Sequence, residues 1–194
     1  LLCDGMGGLA KGEVASSEIV EIFDGWVKND LPEICKSHIT EQIIKIQWER
    51  IIKNQNERIK DYGIRCGINL GTTVVALLVT EERYFLMNVG DSRAYEISDN
   101  MVQLTKDQTL IQQEIDLGNL TPEQAKQDPR RSVLLQCVGA SEEVNPDFIC
   151  GNTQKDIVYM LCSDGFRHEI TSEEIRNVLE PDNMLSEEMM KKNM

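Results

Sequence analysis

Three aspartates stand out by their surroundings. Leu1-Leu2-Cys3 runs into Asp4-Gly5-Met6-Gly7-Gly8, Tyr84-Phe85-Leu86-Met87-Asn88-Val89 into Gly90-Asp91-Ser92, and Ile157-Val158-Tyr159-Met160-Leu161-Cys162 into Ser163-Asp164-Gly165. Each short apolar run reads as a buried strand, and an aspartate at its end projects its oxygens beyond the sheet. The adjoining glycine lets backbone approach a small ligand with no Cβ in the way. A single Asp-Gly pair is a common turn. Three such carboxylates at strand ends can share one edge of a core, and converging carboxylates need a cation to coexist. An oxygen-only site completed by water points to Mg²⁺ or Mn²⁺.

The first of these stretches has other readings. Gly5-x-Gly7-x-x-Ala10 satisfies the loose dinucleotide fingerprint, and a strand-to-helix turn is where that fingerprint belongs. Asp4 argues against it, because a carboxylate beside a pyrophosphate repels it unless a cation sits between them. The phosphate loop G-x-x-x-x-G-K-[ST], read from Gly5, fails at Ala10 and Gly12. A nucleotide-binding module therefore stands as a minor alternative.

These residues need a scaffold, and the sequence supplies one in blocks. Val14, Ile19, Val20, Ile22, Phe23, Trp26 and Val27 fall on one broad helical stripe between Glu13 and about Val27, ended by Asn29-Asp30-Leu31-Pro32. Asp24-Gly25 reads as an irregularity in that helix. Thr40 caps a second helix with Ile43, Ile44, Trp48, Ile51, Ile52 and Ile59 on its apolar side, stopped by Asp61-Tyr62-Gly63. His38, in the preceding loop, reads as a surface residue. Thr72–Thr80, Arg83–Val89, Ala94–Ile97 and Met101–Leu104 then form close-spaced β-rich runs, which favours an antiparallel meander. Lys106 to about Gln127 is polar and helical, broken at Gly118-Asn119 and restarted by a capping box at Thr121-Pro122-Glu123-Gln124. Arg130-Arg131 follow it, a fork chemistry suited to phosphate but usually solvated. Ser132–Val138, Asp147–Cys150 and Ile157–Cys162 are further strands, and Thr171-Ser172-Glu173-Glu174 opens a last helix to Leu179. His168 falls in the turn between Asp164 and that helix. Helices, a strand-rich centre and helices again give an α+β layered domain.

Composition narrows the partners. With 20 basic residues against 33 acidic ones, a formal charge of −13, the surface repels nucleic acid and anionic membranes. The longest aliphatic run, Val74–Val79, is far short of the about 20 residues that span a bilayer. Cys3, Cys35, Cys66, Cys137, Cys150 and Cys162 lack paired metal spacing and read as reduced core residues, which points to cytoplasm.

Several motifs together carry a family resemblance. Asp4-Gly5-Met6-Gly7-Gly8 with Gly12-Glu13, Gly71-Thr72-Thr73, Val89-Gly90-Asp91-Ser92-Arg93, Leu104-Thr105-x-Asp107 and Cys162-Ser163-Asp164-Gly165 occur in the order and spacing of the metal-dependent protein serine/threonine phosphatases, the PPM or type 2C family. The resemblance runs from Leu1 to about Leu179. It implies a four-layer α-β-β-α sandwich of two antiparallel sheets flanked by helices, with a flap over residues 105–131 beside the site. It also implies two Mg²⁺ or Mn²⁺ ions, with Asp4 bridging them, the Gly5 carbonyl completing one, Asp164 on the second, and Asp91 with Asp164 on a weaker third. The implied substrate is a phosphoserine or phosphothreonine protein, the implied partner a cognate Ser/Thr kinase, and the implied state a monomer. A metal-activated water then attacks phosphorus and no protein nucleophile is required.

The chain departs from the family pattern at identifiable places. Leu9 and Gln108 stand where histidine is frequent, and Asp182-Asn183 comes too soon after Asp164 to be the family's final metal motif. A family segment bearing a phosphate-binding arginine precedes the first motif elsewhere, so residues 1–194 are read as one domain incomplete at both ends. A catalytically inactive relative that binds partners is the alternative.

Overall fold

The structure is a computed structural model, which describes residues 1–6 and 11–193. The chain folds into α1 (Gly12–Asn29), α2 (Leu31–Cys35), α3 (Glu41–Cys66), β1 (Val74–Val79), β2 (Arg83–Val89), β3 (Arg93–Ile97) and β4 (Met101–Gln103). Then follow α4 (Leu110–Asp116), α5 (Pro122–Gln127), β5 (Asp147–Asn152), β6 (Val158–Cys162), α6 (Asp164–Glu169), α7 (Ser172–Leu179) and α8 (Glu187–Asn193).

Side-chain alternation along the strands builds four layers. Val74, Ala76, Phe85 and Met87 point to a core shared with Ile19, Phe23, Trp26, Ile44, Trp48 and Ile52 of α1 and α3. Their neighbours Val75, Leu77, Tyr84 and Leu86 point the other way, against Ala94, Tyr159 and Leu161 of the second sheet. That sheet turns Tyr95, Ile97, Met160 and Cys162 outward against Ile175 and Leu179 of α7. Strands buried on both faces lose the alternation of apolar and polar residues, which is why β1 and β2 read as unbroken apolar runs. Trp48 anchors the helical layer, with the rings of Phe23, Trp26 and Phe148 at 5.9, 5.7 and 6.1 Å in edge contacts.

The sheets have the orders β1-β2-β5 and β4-β3-β6, all pairs antiparallel. The meander expected over 72–104 is therefore cut in two between β2 and β3. Gly90 makes the cut. Its φ of 103° is open to glycine, and its N–H goes to Gln108 Oε1 at 2.7 Å rather than to a neighbouring strand.

Other boundaries also differ from the sequence reading. α3 runs through Gly63 to Cys66, because Gly63 meets the returning chain so closely that a Cβ there would lie 2.7 Å from the Ile68 carbonyl oxygen. The left-handed Gly67 ends it instead. Asp24-Gly25 is regular helix within α1, and Val20 and Val27 of the expected stripe are about half exposed. Residues 132–138 are not a strand: only Leu134 and Val138 make isolated bridges. Their N–H groups go to scattered partners, Leu135 to the Gln108 carbonyl, Cys137 to Ser141 Oγ and Val138 to the Thr72 carbonyl, so no continuous ladder forms. All six cysteines are free, but Cys35 and Cys66 are exposed and only Cys137 and Cys162 are buried, so the core reading holds for those two. Thr40, Thr121 and Thr171 are the caps the sequence announced, the last two with complete capping boxes. No helix among the described residues is long and apolar enough to cross a membrane.

Candidate active site

The strand ends at Val89 and Cys162 and the segment Leu2–Met6 meet at one end of the sandwich. Leu2 and Gly5 bridge Val75 and Thr72, so the first residues lie along the edge of β1. At the Gly5 bridge the bonds run from Met6 N–H to the Gly71 carbonyl and from Thr73 N–H to the Asp4 carbonyl. That pattern turns the N–H and carbonyl of Gly5 itself away from Thr72. A Cβ on Gly5 would stand 2.4 Å from the Gly12 carbonyl oxygen, so the loop and the start of α1 touch backbone to backbone. Gly7, Gly8, Leu9 and Ala10, which complete the glycine turn, lie outside the described residues.

Thr73 couples two of the aspartates. Its Oγ1 accepts from Asp4 N–H at 3.2 Å and shares a 2.8 Å bond with Ser92 Oγ, next to Asp91. Gln108 holds the same loop from the other side, accepting from Gly90 N–H and donating to Asp147 Oδ2 at 2.9 Å. Asp164 arrives from the second sheet as the first residue of α6. The Asp4 carboxyl, pressed by burial and then by contact with the Asp164 carboxylate, is held above the usual carboxylate range. Burial and then Asp164 push Asp91 up to about 6, against the pull of Arg167.

Two arginines enter this cluster. Arg93 forks onto Asp107, Nε to Oδ1 at 2.7 Å and Nη2 to Oδ2 at 2.6 Å. Arg167, on α6, donates from Nη2 to the Asp91 carbonyl at 2.9 Å and stands 3.6 Å from the Asp91 and Asp107 carboxylates. Beyond them a cleft of about 210 Å³ opens between the carboxylates and α4 and α5, with Lys126 and Arg131 among its lining residues. Asp128 occupies Arg130 through a two-bond fork, whereas Arg131 and Lys126 have no ion pair among the described residues.

The donor set fits a hard cation. Its members are carboxylate oxygens that repel one another, with a backbone carbonyl turned out of its ladder beside them. Among the described residues, however, no three acidic, His or Cys side chains are arranged around one point so as to hold a metal. Asp164 is the carboxylate whose charge raises both Asp4 and Asp91.

No protein-family model matches the chain. A Listeria innocua protein named serine/threonine phosphatase stp is 31% identical over 191 residues, covering 96% of this chain and 73% of that protein. The chain belongs to the PP2C-type serine/threonine protein phosphatases. Among solved PP2C-type structures, the S. agalactiae serine/threonine phosphatase superimposes with a TM-score of 0.84 at 25% identity, covering 98% of this chain and 77% of that one. The catalytic domain of the phosphatase PstP, solved with two manganese ions, gives 0.73 at 28% identity, covering 91% and 71%. The chain is thus a phosphatase-family hydrolase with the four-layer sandwich expected of it, and the family is metal-dependent.

The sequence singled out Asp4, Gly5, Asp91 and Asp164, and the structure brings their segments to one end of the sandwich. The sequence did not single out Arg167, three residues beyond Asp164. The signal available was that spacing, since residues three apart share a helix face, but Asp164–Glu169 reads as a turn. Thr73, Arg93 and Asp107 were visible only as motif letters; their bonds give them jobs. His38 lines a separate surface pocket with Cys35 and Glu81. The His168 side chain lies outside what is described. Asp182 lines an acidic cleft of about 700 Å³ with Glu96 and Asp99, at the opposite end of the second sheet.

Proposed function

We propose that this chain hydrolyses phosphoserine and phosphothreonine in proteins at the cluster of Asp4, Gly5, Asp91 and Asp164. The observation that carries the reading is that Thr73 ties Asp4 to Ser92 beside Asp91, while Arg167, on the helix that Asp164 opens, reaches the Asp91 carbonyl, so the three carboxylate-bearing segments meet at one end of the sandwich. In this reading Asp4 is shared by two Mg²⁺ or Mn²⁺ ions, the Gly5 carbonyl serves one and Asp164 the other, and Asp91 with Asp164 takes a weaker third. Bound divalent ions supply Lewis acidity, activating the attacking water and drawing charge from the phosphoryl oxygens.

The protein's own part is to position and to recognise. Thr73 ties Asp4 to the start of β1, and Gln108 holds the Gly90 turn that carries Asp91 at the end of β2. Arg93 fixes Asp107 through a two-bond fork, which ties the loop after β4 to β3. Arg131 and Lys126 give the flap at 105–131 two cations with which to meet a phosphoprotein. Residues 1–194 act as one domain, monomeric and cytoplasmic, opposing a Ser/Thr kinase.

The test is release of phosphate from a phosphothreonine peptide with Mn²⁺, beside a chelator control and Asp164→Asn. Turnover lost in both controls supports the reading. Turnover that persists in the chelator, or in Asp164→Asn, overturns it.

A further inference from the structure

Arg167 is an unusual neighbour for residues suited to a metal. Its side chain is only 16% exposed, and its guanidinium is fixed by a single hydrogen bond to the Asp91 carbonyl. The carboxylates of Asp91 and Asp107 lie 3.6 Å away, within charge range but beyond a good hydrogen bond. Its buried Nε–H finds no acceptor among the described residues. Asp107 does not need this arginine, because the Arg93 fork already occupies both of its oxygens. The guanidinium is therefore held by one hydrogen bond to the Asp91 carbonyl and by the charges of Asp91 and Asp107 at 3.6 Å, with no carboxylate fork of its own.

Charge counting gives the same picture. Arg93 cancels Asp107, which leaves Asp4, Asp91 and Asp164 facing Arg167 alone. One divalent ion would then neutralise the cluster. A second ion on the Asp91 side would have to share its carboxylates with a guanidinium already there.

We propose that Arg167 is a tethered cation that occupies the Asp91 side of the carboxylate cluster and competes there with a divalent ion. This rests on the metal reading of the site given above. The arginine sets how many ions the cluster holds at a given concentration, and its displacement from Asp91 is what admits the last one.

Direct Mn²⁺ binding, followed by the loss of the free-ion resonance signal under dialysis-matched conditions, tests this without any turnover. Arg167→Met is expected to bind one more Mn²⁺ than wild type, or to hold its weakest ion at least about tenfold more tightly, because a like charge a few ångströms away has been removed. Arg167→Lys, which keeps the charge, should stay with wild type, and adding Asp91→Asn to Arg167→Met should cancel the gain. Equal counts and affinities in wild type and Arg167→Met overturn the proposal, as does an equal gain in Arg167→Lys or a gain that survives Asp91→Asn. If Arg167→Met unfolds without metal, recovery of its circular dichroism by Mn²⁺ supports the exchange of one cation for another. Failure to recover shows a structural arginine and overturns it. A wild-type chain that binds no Mn²⁺ at all defeats the metal reading itself, a result distinct from the others.

Discussion

Thr73→Val tests the link between the first two aspartates. Valine matches threonine in shape, so the change removes a hydroxyl and opens no cavity. Two partners lose their bond: the Asp4 N–H at 3.2 Å and Ser92 Oγ at 2.8 Å. Thr73 and Ser92 are 3% and 1% exposed, so water cannot replace what is lost. Each orphaned group costs about 1–3 kcal/mol, and the Asp4 amide is only partly buried, so the sum is about 2–4 kcal/mol. Thr73→Ser keeps both bonds and loses one methyl, about 1 kcal/mol. Urea unfolding of the three chains reads the stability, and phosphopeptide turnover in saturating Mn²⁺ reads the alignment, which should fall about tenfold or more in Thr73→Val and little in Thr73→Ser. If valine proves as stable and as active as serine, the hydroxyl does not couple Asp4 to Asp91 and the reasoning fails.

Three further outcomes are expected. The Asp91 carboxyl, raised to about 6, binds its proton at higher pH in the folded chain than in the unfolded one. Metal-free stability should therefore fall as pH rises from about 4 to about 6, by about 3 kcal/mol at most. Thermal melts in chelator should show that slope, and Asp91→Asn should flatten it; parallel slopes would refute the assignment. Asn56 reaches from α3 to accept from Gly139 N–H at 2.8 Å and donate to the Ser141 carbonyl at 3.1 Å. Asn56→Ala should lower stability by about 2–3 kcal/mol in denaturant titration, without changing KM. Arg131→Ala removes an unpaired cation from the cleft and should raise KM for a phosphopeptide about tenfold while leaving kcat nearly unchanged; equal KM values would remove it from substrate recognition.

The parts of the fold governed by local chemistry were legible in the sequence. Threonine caps announced three helices because a hydroxyl accepting from the third residue onward is a local event. The three aspartates were legible because strand, glycine and carboxylate are adjacent in sequence. What escaped depended on distant partners. Nothing near Gly90 says that its N–H belongs to Gln108, so the split of the strands between two sheets was hidden. Gly63 looks like a helix stop until the Ile68 carbonyl is seen against it. Residues 132–138 have strand composition, yet their N–H groups go to Gln108, Ser141 and Thr72 rather than to one neighbouring strand. Arg167 was invisible because its role is to face Asp91, which lies 76 residues away in the chain.

The seam between the sheets carries a consequence of its own. Asp4 rides on the first sheet and Asp164 on the second, while Asp91 sits where the chain crosses from one to the other. Their spacing is therefore a caliper reading of the apolar filling between the jaws, chiefly Val75, Leu86 and Ala94 with the Tyr84–Tyr159 ring pair at 5.4 Å. A methyl group added deep in that filling, out of reach of any substrate, opens the jaws at the rim.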